Sequence, residues 1–266
     1  LNPFPSRRPS DIRTQNDKAL YRIAMKRALE CQPGLEVKQA QADEIMVESG
    51  KVRGVRDTVG AVFGAKAVVV TAGTFLHGLV HLGERRIPAG RACEFPSNEL
   101  ADSLARLGLR TGRFKTGTPM RVRRGTIDFG AFTEQQGDAV PRPFSMHTES
   151  IPLRQVSCHI GRTTPETHEI IRRNLNRSAL YSGAITGTPA RYCPSIEDKI
   201  VKFPDRTTHQ IILEPEGLDT EEIYVSGTGN SLPYEVQIEL LHSIPGLENA
   251  EIMRPAYAIE YDYYPP

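Results

Sequence analysis

Apolar positions recur with helical spacing over Asn16–Glu30, where Leu20, Ile23, Ala24 and Ala28 share one face and Lys18, Arg22 and Lys26 lie elsewhere. Asp17 or Asn16 is placed to cap this helix, and Pro33-Gly34 to end it. Short strand-like runs follow at Leu35–Gln39, Glu44–Glu48, Val52–Val55 and Ala61–Phe63, separated by turn residues at Ser49-Gly50 and Asp57, a pattern that predicts antiparallel hairpins. Ala65–Gly73 is a short β-branched apolar run that stops at small residues. It predicts a buried strand of a parallel sheet whose carboxyl end opens onto a ligand crevice, or else an α+β element with no ligand at its end.

Past Pro96 the texture changes. Leu100, Leu104 and Leu107 are in helical register over Ser97–Leu107, with Ser97 at the cap. The basic segment Arg110–Arg124 comes next, and Gly125–Pro152 is rich in Gly, Pro and polar residues, as surface loops are. Thr164-Pro165-Glu166 opens a well-signed helix reaching Leu175. Glu197–Phe203, His209–Glu214 and Glu251–Arg254 predict strands, and Pro233–Ser243 a final helix. The order of elements fits an α/β fold with a β-meander set between sheet strands.

Composition narrows the classes. In 266 residues, 33 Lys+Arg against 32 Asp+Glu exclude a globally basic nucleic-acid coat and an acidic disordered chain. No window approaches the roughly 18 consecutive apolar residues of a membrane helix, and Leu1–Ser10 lacks the apolar core of a signal peptide. The chain does not open with Met, as expected of part of a longer polypeptide. Cys31, Cys93, Cys158 and Cys193 are far apart without a C-x-x-C pair, so reduced thiols in a cytosolic compartment are expected.

Three segments carry candidate chemistry. The small residues Thr71, Ala72, Gly73 and Thr74, just past the apolar run, would let backbone N–H groups approach a cofactor, although no G-x-G-x-x-G precedes them. Cys193, between Arg191 and Lys199, reads either as a thiolate nucleophile beside cations or as a structural cysteine in a Pro-bounded turn. Glu197 and Asp198 are placed to orient Lys199. Arg110–Arg124 reads either as a grip on nucleic-acid phosphates or as a solvated face or strand-turn whose charges pair with local acids. His159 and His168 share no metal-ligand spacing, and no metal is expected.

Seven blocks then occur in order: Arg13–Arg22, Lys66–Leu76, Gly112–Pro119, Arg162–Ile171, Arg191–Lys199, Ile212–Leu218 and Tyr257–Asp262. Together they resemble the large flavin subunit of the tRNA uridine 5-carboxymethylaminomethyl-modifying enzyme, the MnmG/GidA family. The resemblance implies an incomplete FAD-binding Rossmann-like domain with an inserted α/β domain: 1–92 as part of the FAD-binding domain, 93–212 as the inserted NAD/substrate region, and 213–266 as the return toward the first. It implies FAD and NADH as cofactors, a folate one-carbon donor as co-substrate, and addition of an aminomethyl-type group to carbon 5 of the wobble uridine of tRNA. A GTPase partner subunit, a homodimer at full length, no membrane, and a cytoplasmic (or, in a eukaryote, mitochondrial matrix) location are implied with it. The alternatives are a related flavin-folate tRNA uracil-5-methyltransferase and a non-catalytic fragment that keeps only a binding surface.

Residue by residue, the resemblance gives Cys193 a catalytic role, with Lys199 and Asp198 beside it. It puts Ala42 and Ser97 at FAD, beside the small-residue turn of Thr71, Gly73 and Thr74 already read as a cofactor contact, and Arg191, Tyr192, Pro194, Ser195, Ile196 and Glu197 in the segment assigned to NAD. The chain departs from the family in lacking its glycine fingerprint and its carboxyl-terminal helical region. Pro189 stands where the family has Gly in a nucleotide turn, and Cys93 stands where it usually has Gly. The isolated piece is therefore expected to hold little FAD and, with sheet edges unpaired, to associate.

Overall fold

A computed structural model describes residues 14–141, 143–189 and 194–265. In chain order the elements are α1 (Lys18–Glu30), β1 (Ala42–Glu48), β2 (Lys51–Asp57), β3 (Val62–Gly64), β4 (Leu79–Leu82), β5 (Arg85–Pro88), α2 (Asn98–Arg106), β6 (Gly112–Thr118), β7 (Arg121–Arg123) and β8 (Thr133–Gln135). There follow β9 (Cys158–Arg162), α3 (Pro165–Arg173), β10 (Thr188–Pro189), α4 (Ile196–Lys202), β11 (Gln210–Pro215), β12 (Glu222–Ser226), α5 (Tyr234–His242), β13 (Ile252–Arg254) and β14 (Tyr257–Tyr263). The fold is mixed α/β, as expected.

Strands β1, β2 and β3 form an antiparallel meander. Ser49 and Gly50 both take positive φ in its first turn, the geometry that matches hairpin twist. Helix α2 lies against β1 through Ile45, Leu100, Ala101 and Leu104, and the Ser103 hydroxyl accepts the Ile45 N–H at 3.0 Å. Ser97 occupies the cap position of α2, but its side chain makes no capping bond.

A second sheet runs β10-β6-β14-β4-β5, antiparallel except for the parallel β10–β6 pair. A third runs β13-β7-β12-β11-β9-β8, antiparallel throughout, and its Met120, Val122, Ile211, Leu213, Ile223 and Val225 form one core with apolar residues of α3, α4 and α5. Strands on either side of residues 92 and 212 share these sheets: β4 and β6 both pair with β14, and β7 with β12.

Several local expectations are corrected. Leu35–Gln39 has no strand ladder. Ala65–Gly73 forms no strand ladder among the described residues: only Ala65 N reaches β2, at Arg53 O, and Val69 is 85% exposed; a parallel strand becomes a strand only when neighbours supply its hydrogen bonds. Helix α1 forms, yet none of its residues is buried, and Leu20, Tyr21, Ile23 and Leu29 face outward. It is tied by polar bonds instead: Asp17 accepts from the N–H groups of Leu20 and Leu218, and Lys18 pairs with Glu216.

Glu197–Phe203 is the helix α4 rather than a strand. Ser195 caps it by accepting from Asp198 N, Glu197 and Asp198 supply acids to the first turn, and Ile196 and Ile200 bury one face. The basic segment is largely strand, with β6 and β7 joined by a tight turn. Arg113 pairs with Asp262 and Arg121 with Glu216, while Lys115 is buried opposite Glu260 in the ladder. Those charges serve the fold, as in the strand-turn reading. Pro189 sits in extended β10 at the sheet edge, where its fixed φ and missing N–H cost little. Cys93 has φ of 64°, the left-handed region that favours Gly, which accounts for glycine at this place in the family pattern.

Candidate functional site

The first group of expected site residues converges at one turn. Ala42 at the start of β1 and Ala72 pack against the small core of Ile45, Leu76, Leu100 and Leu104. Thr71 and Gly73 are exposed on the same bend, and Gly73 has φ of 56°, with only the Phe75 ring edge 4.0 Å from where a Cβ would lie. The bend is braced from behind. Phe75 N donates to Ala72 O, Gly78 N to Phe75 O, and Thr74 Oγ1 to Gly90 O at 2.6 Å. Ser97 N donates to Phe75 O at 2.9 Å, which sets the start of α2 against the turn. A Cβ on Gly78 would lie 2.8 Å from Thr74 O, and one on Gly90 would enter the Phe75 ring. The result is a fixed backbone edge with small, solvent-facing residues, the shape a flat or phosphorylated cofactor needs for close approach. Thr71, Gly73, Thr74, Ser97 and Ala42 are thus brought together around this one turn.

The second group lies on α4. Cys193, Arg191 and Tyr192 fall outside the described residues. Pro194 is exposed and, with Asp198, Lys199, Lys202, Phe203 and Arg206, lines an open cavity of about 310 Å³. Ile196 is fully buried in the core. Glu197 is fully buried too, but its carboxylate turns away from Lys199: Oε1 accepts from Ser231 N at 2.8 Å and from the Ser178 and Ser231 hydroxyls at 3.1 Å, while Oε2 has no partner among the described residues. Asp198 accepts from Tyr181 and Ser195 and pairs with Lys202. So neither acid orients Lys199, contrary to the expectation: on a helix, consecutive side chains point in different directions. Burial alone pushes the Lys199 amine below its ordinary range. Burial, and then the Asp198 charge, push the Tyr181 phenol well above its ordinary value.

Beside this cavity, His209 stacks on His168 with ring centroids 5.2 Å apart, and Thr163 Oγ1 meets both His168 Nε2 and the His209 N–H at 2.8 Å. Burial is the chief cause that lowers both imidazoles. For His209 the Lys199 and Arg206 charges act in the same direction.

One strand touches the approaches to both groups. Glu260 of β14 accepts from Thr186 N at 2.8 Å and Gly187 N at 2.6 Å through Oε1, and meets buried His81 Nε2 at 2.8 Å through Oε2. Burial pushes the Glu260 carboxyl up, but those N–H donors and His81 outweigh it and hold it below the ordinary range. Asp262, two residues on and on the same face, contacts His77 and Arg113 near the cofactor turn. The sequence reasoning did not single out Glu260, His81, His77 or Asp262. The available signal was the alternation in Tyr257–Asp262, which puts Ala258, Glu260 and Asp262 on one face.

Comparison with known proteins agrees across the length of the chain. The model of the family described as "Glucose inhibited division protein A" matches residues 8–266. The tRNA uridine 5-carboxymethylaminomethyl modification enzyme MnmG of Syntrophobacter fumaroxidans is 60% identical over 254 residues, which cover 96% of this chain and 40% of that protein. The MnmG of Thermodesulfovibrio yellowstonii is 55% identical over 255 residues, covering 96% of this chain and 41% of that one. The solved structure of Aquifex aeolicus GidA in its form I crystal superposes with a TM-score of 0.88 at 53% identity, covering 95% of this chain and 43% of that chain. The chain thus spans about 40% of the length of these relatives. With a matching family model, close relatives and a shared fold over nearly all its residues, the chain belongs to the glucose inhibited division protein A family.

Proposed function

We infer that the protein containing this chain modifies carbon 5 of the wobble uridine of tRNA, using FAD and NADH, a folate one-carbon donor and a GTPase partner. The observation that carries this reading is the 60% identity, over 96% of the chain, to a relative named for tRNA uridine 5-carboxymethylaminomethyl modification. The Thr71–Thr74 bend with Ala42 and Ser97 would hold FAD, and the α4 block from Pro194 to Glu197 would border NADH. Bound FAD would pass reducing equivalents from NADH to the one-carbon unit.

The chain's own contribution is the thiol at Cys193. Its thiolate adds to carbon 6 of the uracil ring, and the C5–C6 π pair moves toward carbon 5, which becomes the nucleophile for the one-carbon unit. Loss of the carbon-5 proton then returns an electron pair to the ring and expels the thiolate. Lys199 lies one helical turn past the Ser195 cap, and burial holds its amine below the ordinary lysine range.

The test uses the full-length protein with its partner and an unmodified tRNA. Mass spectrometry of the wobble nucleoside should show the carbon-5 adduct with the wild type, and at least a hundredfold less (on the order of the loss of a nucleophile) with Cys193→Ser that folds and retains its flavin absorbance. Undiminished modification by Cys193→Ser would refute the thiol mechanism. A wild type that leaves the uridine unchanged would refute the function.

A further inference from the structure

The turn that fits FAD is held by a polar cluster to which no role has been given. His77 follows the buried Leu76 and has φ of 46°, a left-handed conformation that an L-residue keeps only when its surroundings enforce it. Asp262, Asp102 and Arg113 enforce it. His77 Nδ1 meets Asp262 Oδ2 at 2.5 Å, and His77 Nε2 lies 3.3 Å from Asp102 of α2. Arg113 Nη1 donates to Asp262 Oδ1 at 2.8 Å and to the His77 carbonyl at 3.0 Å. Asp262 N donates to Leu76 O at 2.7 Å. Asp262 is thus in contact with residues 76 and 77 through both its backbone and its carboxylate, and it is nearly buried while doing so.

Movement at His77 cannot be absorbed nearby. Gly78 has no room for a Cβ between Thr74 O and Ala89 O, so residues 74 and 78 are in close contact across the turn. Thr74 is tied to Gly90, and Phe75 to Ser97. A displacement of residue 77 is carried to Gly73 and Thr74.

We propose that Asp262 is a positioning residue for the flavin site, acting through His77 to fix the Gly73–Leu76 turn. Its location on β14 puts the control of that turn on the strand that also holds Glu260, and hence Thr186 and Gly187 ahead of the nucleotide block. The inference rests on the reading of Thr71–Thr74 as an FAD contact.

The experiment uses the full-length protein and measures FAD dissociation by flavin fluorescence, with the absorbance maximum of the bound flavin as the spectroscopic signature. Asp262→Asn and His77→Asn (Asn tolerates the left-handed backbone) should each weaken FAD binding on the order of tenfold, the scale of one charge-assisted hydrogen bond, and shift the absorbance maximum. The double variant should be no weaker than either single one to within about twofold, because both remove the same contact. Gly73→Val, in the turn itself, separates the two ideas. If Gly73→Val weakens FAD and Asp262→Asn does not, the positioning role is overturned while the cofactor site stands. Multiplying effects of Asp262→Asn and His77→Asn overturn it as well. If Gly73→Val leaves FAD binding unchanged, the cofactor reading falls and the proposal with it. Should Asp262→Asn fail to fold, His77→Asn decides the question alone.

Discussion

At the scale of single residues, several of the most informative side chains are buried and ionisable. His81, His168 and His209 are enclosed, and burial is the first cause that holds each imidazole below its ordinary value of 6.5. The unfolded chain therefore takes up protons near pH 6.5 that the folded chain refuses, so stability falls as pH drops through that value. Glu260 and Glu216 behave in the complementary way. Burial raises both, but Gly187, Thr186 and His81 for Glu260, and Lys18 and Arg121 for Glu216, bring them below the ordinary 4.5. Their contribution is present above about pH 4.5 and is lost as pH falls through the folded-state value. Thermal melts should show the midpoint declining between about pH 7.5 and 5.5, then more steeply below 4.5. His209→Gln should lessen the slope of the upper limb and leave the lower one unchanged, and a pH-independent midpoint would contradict the assignment. None of this was legible in the sequence. Seven histidines were visible, but whether one is enclosed depends on contacts such as His81 to Glu260, 179 positions away.

At the scale of elements, local signals succeeded where the chain supplies its own hydrogen-bond partners. Helix α3 is the best case. Thr164 Oγ1 accepts the Thr167 N–H, Thr167 Oγ1 accepts the Thr164 N–H, and Pro165 opens the first turn. Thr164→Ala should cost about 1–2 kcal/mol in chemical denaturation, since it also forfeits the bond to Ser243 O; a cost below about 0.3 kcal/mol would show that the cap is dispensable. Helix α4 was misread for a physical reason. Its seven residues are too few to display helical period, and an Ile-x-x-x-Ile spacing with Val201 passes for strand. Strand β6 was legible only as one of two readings of the basic segment, and β14 was missed, because the ladder between them sets Arg113 against Asp262 and Lys115 opposite Glu260, so the usual apolar alternation is absent. Ala65–Gly73 shows the reverse case, a segment with every intrinsic mark of a strand and no strand ladder among the described residues.

At the scale of the molecule, the elements that precede the second sheet carry exposed apolar residues: Leu20, Tyr21 and Ile23 of α1, Val62 of β3, and Val69 and Val70 of the run without a strand partner. Unpaired backbone beside apolar side chains is a template for association. The isolated chain should associate in sedimentation experiments as its concentration rises through the micromolar range, and Val69→Lys with Val70→Lys should reduce that association. A clean monomer at about 100 µM would count against this. The placement of β14 matters beyond the folded state. It lies between β6 and β4, yet it is made after every other strand described, and the carboxylate that meets His81 leaves the peptidyl-transferase centre 179 residues behind that imidazole. At about 5–20 residues per second, the ribosome leaves the sheet without its middle strand for on the order of ten seconds or more. During that interval the β4 and β6 edges that β14 will cover lie open, the condition under which strand edges pair with the wrong partner.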